Sequence, residues 1–223
     1  MFSGNYRNIE RSQESIGRIP ESEISDSDIL LRKSLSSYVR FGKPVLDFII
    51  VLNAILFFSI IMIVIAVVIK ATSKGPVIFC QKRIGLSNKE FVIYKFRSMC
   101  VDAPVYSKKP DSGAPCITLV GKWLRKISLD ELPQFFNVLK GDMSIVGPRP
   151  EMPFLVEEYD ELENQRHLVK PGITGLWQIS EKRSKAIRDG IYLDLEYLKT
   201  ISFITDLKIL FRTLKVFVKW NTH

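Results

Sequence analysis

The sequence predicts an α+β protein held to a membrane, and three observations carry that expectation. An uncharged run of 22 residues extends from Phe48 to Ile69. Two short β-prone runs follow it, joined by a Gly- and Asn-containing turn. Several segments with helical spacing come next, and the last of them is basic and amphipathic. At 223 residues the chain can hold one ordinary domain with an appendage. With 46% hydrophobic and 25% charged residues, it is too apolar for a disordered chain and too charged for a polytopic membrane protein.

Residues 1–43 carry seven Lys or Arg against six Asp or Glu, are rich in Ser, and lack apolar periodicity outside Ile29 to Leu31. They are expected to form a polar, mobile arm with at most one short surface helix. The apolar run begins far too late for a cleavable secretory signal. Residues 44–70 are expected to be a membrane-embedded helix: 22 uncharged residues at about 1.5 Å each give roughly 33 Å, against roughly 30 Å of hydrocarbon. Arg32, Lys33, Arg40 and Lys43 precede the run, and Lys70, Lys74, Lys82, Arg83 and Lys89 follow it. Two basic flanks give no orientation by the positive-inside rule. They are satisfied together if the helix enters the bilayer, bends near Ser59 and returns, because a Ser hydroxyl can bond a carbonyl one turn back. At this level re-entrant and spanning forms both stay open.

Residues 71–223 are expected to be the soluble-facing domain. Thr72 to Pro76 reads as a turn, Val77 to Gln81 and Phe91 to Phe96 as a β-hairpin around Gly85-Leu86-Ser87-Asn88, and 102–115 as a loop. Helices are expected over Leu119 to Lys126, Leu132 to Leu139, Pro153 to His167 and Ser184 to Lys199. From Phe203 to Trp220, Phe203, Leu207, Leu210, Phe211, Leu214, Phe217 and Val218 share one helical face, with Lys208, Arg212, Lys215 and Lys219 elsewhere. That is the pattern of a helix lying among lipid head groups. A core-facing helix with solvated charges fits the same pattern.

The net charge of +8 and pI near 9.4 point to anionic partners: nucleic acid, lipid head groups or phosphorylated small molecules. A basic docking module without catalysis satisfies that as well as an enzyme does. There are two His, and the three Cys lie 16 to 20 residues apart with no C-x-x-C pair, so a structural zinc site or a disulfide framework has little support. Catalysis therefore falls to carboxylates, hydroxyls or a bound metal. Asp130-Glu131 is the best candidate. Ser128 with Glu131 fits a capping box, but Pro133 would then sit inside the helix, so a start nearer Leu132 is as plausible. The latter places both carboxylates, ionised, at the helix start beside Arg125 and Lys126. Adjacent carboxylates suit Mg²⁺ with phosphate held against it, and a carboxylate can itself attack phosphorus. Gly147-Pro148-Arg149-Pro150 presents one Arg on a stiff backbone, as an oxyanion clamp or as an ordinary Pro-rich turn. Lys95 and Arg97 alternate along a strand toward one face. Neither a P-loop nor a G-x-G-x-x-G is present.

These residues sit in five ordered blocks. They are Thr72-Ser73-Lys74-Gly75-Pro76-Val77-Ile78-Phe79 with Gln81, Arg83 and Gly85; Tyr94 to Met99; Ser128 to Gln134; Leu139 to Pro150; and Lys170 to Gln178. Together they resemble the bacterial sugar transferases, the monotopic phosphoglycosyl transferases, in order from about Lys43 to Trp220. The resemblance implies transfer of a sugar 1-phosphate from a UDP-sugar to undecaprenyl phosphate with release of UMP, initiating surface polysaccharide or glycoconjugate assembly. It implies Asp130 as nucleophile of a covalent phosphosugar intermediate, Glu131 as a catalytic group helping to hold Mg²⁺ with Asp130, and Lys95, Arg97, Arg125 and Arg149 as substrate contacts. It further implies a bacterial plasma-membrane enzyme whose catalytic domain faces the cytoplasm, working on lipid and not on nucleic acid. The family's helix is re-entrant and broken at a Ser-Pro pair, where this chain has Ser59-Ile60. The sugar, the glycan and any self-association are not legible in the sequence.

Overall fold

The computed structural model describes residues 26–101, 103, 117–184 and 186–220. Residues 1–25 of the expected arm, and nearly all of the expected 102–115 loop, lie outside that set. The rest of the arm, residues 26–43, differs from expectation. Asp26–Ser34 form helix α1, and Tyr38–Gly42 form a π-helical turn. Leu30 is the physical reason, since it is driven into the core at 1% exposure. Asp26 and Asp28 in the first turn, with Arg32 and Lys33 in the last, suit the helix dipole.

Helix α2 (Lys43–Thr72) is continuous through Ser59, whose Oγ donates to the Leu56 carbonyl at 2.8 Å. Val51, Ile55, Phe58, Met62, Ile65, Ala66 and Ile69 recur at three- and four-residue spacing, and all lie in or against the two core clusters of the body. The outward face, with Phe57, Ile60, Val64 and Val67, is apolar and exposed. By length and composition α2 could cross a membrane. Its start is fastened by a buried clasp. Lys43 pairs with Asp206, which also accepts from the Tyr38 hydroxyl at 2.7 Å and the Tyr197 hydroxyl at 2.8 Å.

The expected hairpin is present as β1 (Ile78–Ile84) and β2 (Glu90–Phe96), antiparallel, with β1 starting one residue later and ending three residues later than expected. Cys80 opposes Tyr94 and Phe79 opposes Lys95. Strand alternation therefore puts Ile78, Cys80, Tyr94 and Phe96 on one face, and Phe79, Gln81, Ile93 and Lys95 on the other. Cys80 is a free thiol, whereas Cys100 is disulfide-bonded, a bond that the cysteine spacing did not suggest.

Helix α3 (Leu119–Lys126) has its expected bounds and is capped by the Thr118 hydroxyl, which accepts from Gly121 N at 2.9 Å. Helix α4 (Gln134–Lys140) follows Pro133. A two-stranded parallel sheet then forms from β3 (Ser144–Val146) and β4 (Gly172–Thr174), which the sequence did not predict. Its edge tolerates no side chain at Gly147, where a Cβ would lie 2.5 Å from the Lys170 carbonyl. The helix expected over Pro153 to His167 is broken into α5 (Pro153–Val156), α6 (Glu161–Asn164) and a 3₁₀ turn (Gln165–Leu168). Asp160 restarts it through a capping box with Glu163. A short α7 (Leu176–Ile179) precedes α8 (Ile191–Thr200), which occupies the later part of the segment expected over Ser184 to Lys199. Helix α9 (Phe203–Trp220) matches its expected bounds. Phe203, Ile204, Phe211 and Leu214 are exposed along it, while Asp206 and Ile209 are buried.

Candidate active site

Between α3 and α4 the chain reverses at Ser128, a non-glycine residue in the left-handed region at φ 52°. Such a conformation costs about 1 kcal/mol or more and persists only where surrounding contacts impose it. Ser128 makes no capping bond, so the expected capping box does not form. Instead Leu129–Glu131 make a single 3₁₀ turn that presents Asp130 and Glu131 ahead of α4. The alternative start near Leu132 is the closer reading.

Glu131 sits in a fork of two cations. Its Oε1 accepts from Lys95 Nζ at 2.7 Å and from Arg149 Nη2 at 3.0 Å. Burial alone would raise the Glu131 carboxyl, but Lys95 and Arg149 outweigh it and hold the group well below the usual carboxylate range. Asp130, 8% exposed, goes the other way. Burial raises it above its ordinary value, the Glu131 charge adds to the rise, and Lys95 and Arg125 counter it only in part. The expectation of two alike, ionised carboxylates is thus refined to an unequal pair, one firmly anionic and one more basic than a free aspartate. Burial likewise lowers Lys95, with Glu131 opposing it, while Glu131 raises Arg149.

The scaffold behind this fork is more extensive than the sequence reading allowed. The Arg149 carbonyl accepts from Arg166 Nη2 at 2.7 Å, and Arg166, 1% exposed, pairs with Asp194 at 2.7 Å. On the other side Arg83 donates to the Pro150 carbonyl at 3.2 Å, and Ile84 N donates to the Glu151 carbonyl at 2.9 Å. The stiff turn expected around Arg149 is therefore pinned from α8 and from the hairpin. Arg83 stood in a quoted block, but Arg166 and Asp194 lie in none and had no signal beyond being charged.

Two sequence-predicted cations sit apart from the fork. Arg125 is at the end of α3, its Nη2 3.7 Å from Met99 Sδ, and reaches Asp130 through its field. Arg97 leaves β2 toward the end of α2, where Nη2 donates to the Ser73 carbonyl at 3.1 Å. It is 6% exposed, and its Nε and Nη1 have no partner among the described residues. Lys95 and Arg97 therefore do not act on one point. No group of three or more His, Cys, Asp or Glu gathers among the described residues. The Asp130–Glu131 pair still fits Mg²⁺, which commonly takes one or two carboxylates and completes its shell with water and substrate phosphate.

Residues 38–220 match the bacterial sugar transferase family over most of the chain. The protein belongs to that family. Among its relatives is a UDP-N-acetylgalactosamine-undecaprenyl-phosphate N-acetylgalactosaminephosphotransferase of Aeromonas hydrophila, 38% identical over 213 residues, which are 92% of this chain and 50% of that protein. A UDP-glucose:undecaprenyl-phosphate glucose-1-phosphate transferase of Klebsiella pneumoniae is 42% identical over 217 residues, 92% of this chain and 45% of its own. The galactosyl transferase CpsE of Streptococcus agalactiae is 46% identical over 155 residues, 64% of this chain and 34% of its own. This bacterial sugar transferase thus spans about half the length, or less, of the curated relatives it matches.

Proposed function

We propose that the chain transfers a sugar 1-phosphate from a UDP-sugar to a polyprenyl phosphate such as undecaprenyl phosphate, through a covalent intermediate on Asp130. The observation that carries the reading is the geometry of the dyad turn: Asp130 stands buried beside Glu131, whose Oε1 accepts from both Lys95 and Arg149. The relatives' names supply the substrate classes.

In the first step an Asp130 carboxylate oxygen attacks the sugar-bearing phosphorus. A new P–O bond forms, the bond to the bridging oxygen breaks, and UMP leaves with that electron pair. In the second step a phosphate oxygen of the polyprenyl phosphate attacks the same phosphorus, forming a diphosphate and returning the carboxylate. Neither step requires a proton transfer, which suits a site with no His. Lys95 and Arg149 are pre-set at Glu131 and offer their remaining donors to the phosphoryl oxygens as charge builds there. Arg125 and the two unpartnered guanidinium nitrogens of Arg97 are further contacts for the donor's diphosphate or nucleotide. Mg²⁺, held by Asp130 and Glu131, would neutralise diphosphate charge when bound.

The exposed apolar faces of α2 and α9, with Leu119 and Trp123 of α3, would rest in the lipid of a bacterial plasma membrane with the catalytic side toward the cytoplasm. The domain division follows, with α2 as anchor and residues 71–223 as the catalytic body. Purified protein with a panel of UDP-sugars and undecaprenyl phosphate tests the activity. UMP is expected from at least one pair in wild type, and none above background from Asp130→Asn. Undiminished turnover by that variant would refute the intermediate. A second reading, a non-catalytic basic module on anionic lipid, has no observation that favours it over the pinned fork.

A further inference from the structure

An open groove of about 550 Å³ lies between α2, the hairpin and the start of α4. Ile55 and Met62 form one wall, Cys80 and Tyr94 the other, and Pro133 and Phe136 close one side. Its polar groups are already satisfied within the protein. Ser59 Oγ is bonded back to Leu56, and the Tyr94 hydroxyl accepts from Lys140 Nζ at 3.1 Å. The groove therefore recognises hydrocarbon and offers almost no hydrogen bond to anything polar.

Its position says which hydrocarbon. The same two strands carry the groove on one face, through Cys80 and Tyr94, and Lys95 of the cationic fork on the other. Pro133, at the rim of the groove, stands three residues after Asp130, so the two Cα atoms are at most about 11 Å apart, three Cα steps. Along α2 the lining runs from Ile55 to Ala66, about 16 Å of helix. Arg125 and Lys126 stand at the end of α3 just before the dyad turn, and supply positive charge for an anionic head.

We propose that this groove holds the first isoprene units of the polyprenyl phosphate acceptor, with the phosphate turned around Pro133 toward Asp130. The inference rests on the transferase reading and adds a site for the lipid chain. It explains how one small body serves a soluble donor and a lipid acceptor: a single hairpin separates the two environments, and the dyad turn joins them.

The test separates the two half-reactions. Cys80→Trp and Ser59→Trp fill the groove from opposite walls, with the substituted residues outside the catalytic fork. Each is expected to raise the KM for undecaprenyl phosphate by roughly tenfold, the loss of one or two buried methylenes. Exchange of labelled UMP into UDP-sugar, which needs no acceptor, should stay within about twofold of wild type by the same scale. The native thiol gives a second measurement needing no variant. Undecaprenyl phosphate should slow alkylation of the Cys80 peptide, read by mass spectrometry, while phosphatidylglycerol and UDP-sugar should not. Unchanged acceptor KM in both variants, or equal protection of Cys80 by phosphatidylglycerol, would overturn the proposal. Absence of UMP exchange in wild type with every UDP-sugar would instead overturn the transferase reading beneath it.

Discussion

At the scale of the residue, two cations hold the Glu131 carboxylate, while burial leaves the neighbouring Asp130 above its ordinary value. Arg149 contributes a planar fork that reaches Glu131 while keeping donors for phosphate, which a lysine ammonium cannot copy. Arg149→Lys is expected to lower kcat/KM by about a hundredfold or more, the scale of one lost transition-state donor. Steady-state kinetics with the preferred UDP-sugar checks this, and near-wild-type kcat/KM would remove Arg149 from the fork's function. A second residue makes a separate prediction about stability. His167 stacks on Tyr159 with ring centroids 6.3 Å apart, and burial, helped by the Arg166 charge, pushes its imidazole down to about 4. Below an ordinary value of 6.5 the unfolded chain takes up a proton that the folded chain refuses. Stability should therefore fall as pH drops from 6.5 toward 4, by up to about 3 kcal/mol from this group. His167→Phe keeps the stacking and should flatten that part of the pH–melting curve relative to wild type. Asp130, Glu131 and Arg149 could be singled out as candidates because each stands in a short local pattern, a carboxylate pair or a Pro-flanked cation, and the structure brings Arg149 to Glu131. Arg166 and Asp194 could not, since their ion pair joins residues 28 apart with no local rule to link them.

At the scale of the element, what was legible tracks how far each signal repeats. The hairpin, α3, α9 and the long apolar helix repeat a period over several turns or alternations, and the sequence located them within a few residues. Strands β3 and β4 have three residues each, too few for alternation to show, and their pairing is long-range. The segment from Pro153 looked continuous because its helix formers outweigh a single interior cap; Asp160 bonding Glu163 N at 2.7 Å is what divides it. Within residues 26–43 a short helix was expected but its packing was not, because the apolar content there is small, although Leu30 and Lys43 are both buried. Lys43 bears on a prediction here. It and Asp206 are each about 7% exposed, and Tyr38 and Tyr197 converge on the same carboxylate. Asp206→Leu would strand a buried ammonium and two hydroxyls at the junction of α2 and α9. A loss of about 3–5 kcal/mol is expected, the usual result of removing one partner of a buried pair. A Lys43→Met/Asp206→Leu double variant should recover much of it. Thermal unfolding in detergent measures both, and an equal loss in the double variant would show that packing, not charge, sets the cost.

At the scale of the whole molecule, the relation of α2 to the body argues for how the protein meets a bilayer. A helix that crosses lipid alone leaves its domain behind, yet here one face of α2 packs on the body from Val51 to Ile69. That is about 27 Å of helix, close to a full hydrocarbon thickness. Standing α2 upright would draw the body, with the charges of the Lys95–Glu131–Arg149 fork, into the hydrocarbon at a cost of several kcal/mol per charge. Laying α2 in one leaflet, outward face down, immerses only Phe57, Ile60, Val64 and their neighbours, all exposed in the structure. Both basic flanks then stay on the body's side, which is what the charge pattern around the run asked for. The prediction is a same-side labelling result. In a background with Cys80, Cys100 and Cys116 all replaced by Ser, single cysteines at Phe41, 66% exposed, and at the exposed Lys74 should both react with an impermeant maleimide in inside-out vesicles, and neither in right-side-out vesicles. Reaction of the two from opposite sides would mean that α2 spans, and that it leaves the body in the membrane. Ile60→Lys completes the argument, because position 60 is 76% exposed and a lysine there costs nothing in water. In lipid the same change costs up to about 3 kcal/mol, so vesicle flotation of this variant should fall while its detergent-solubilised UMP exchange is retained.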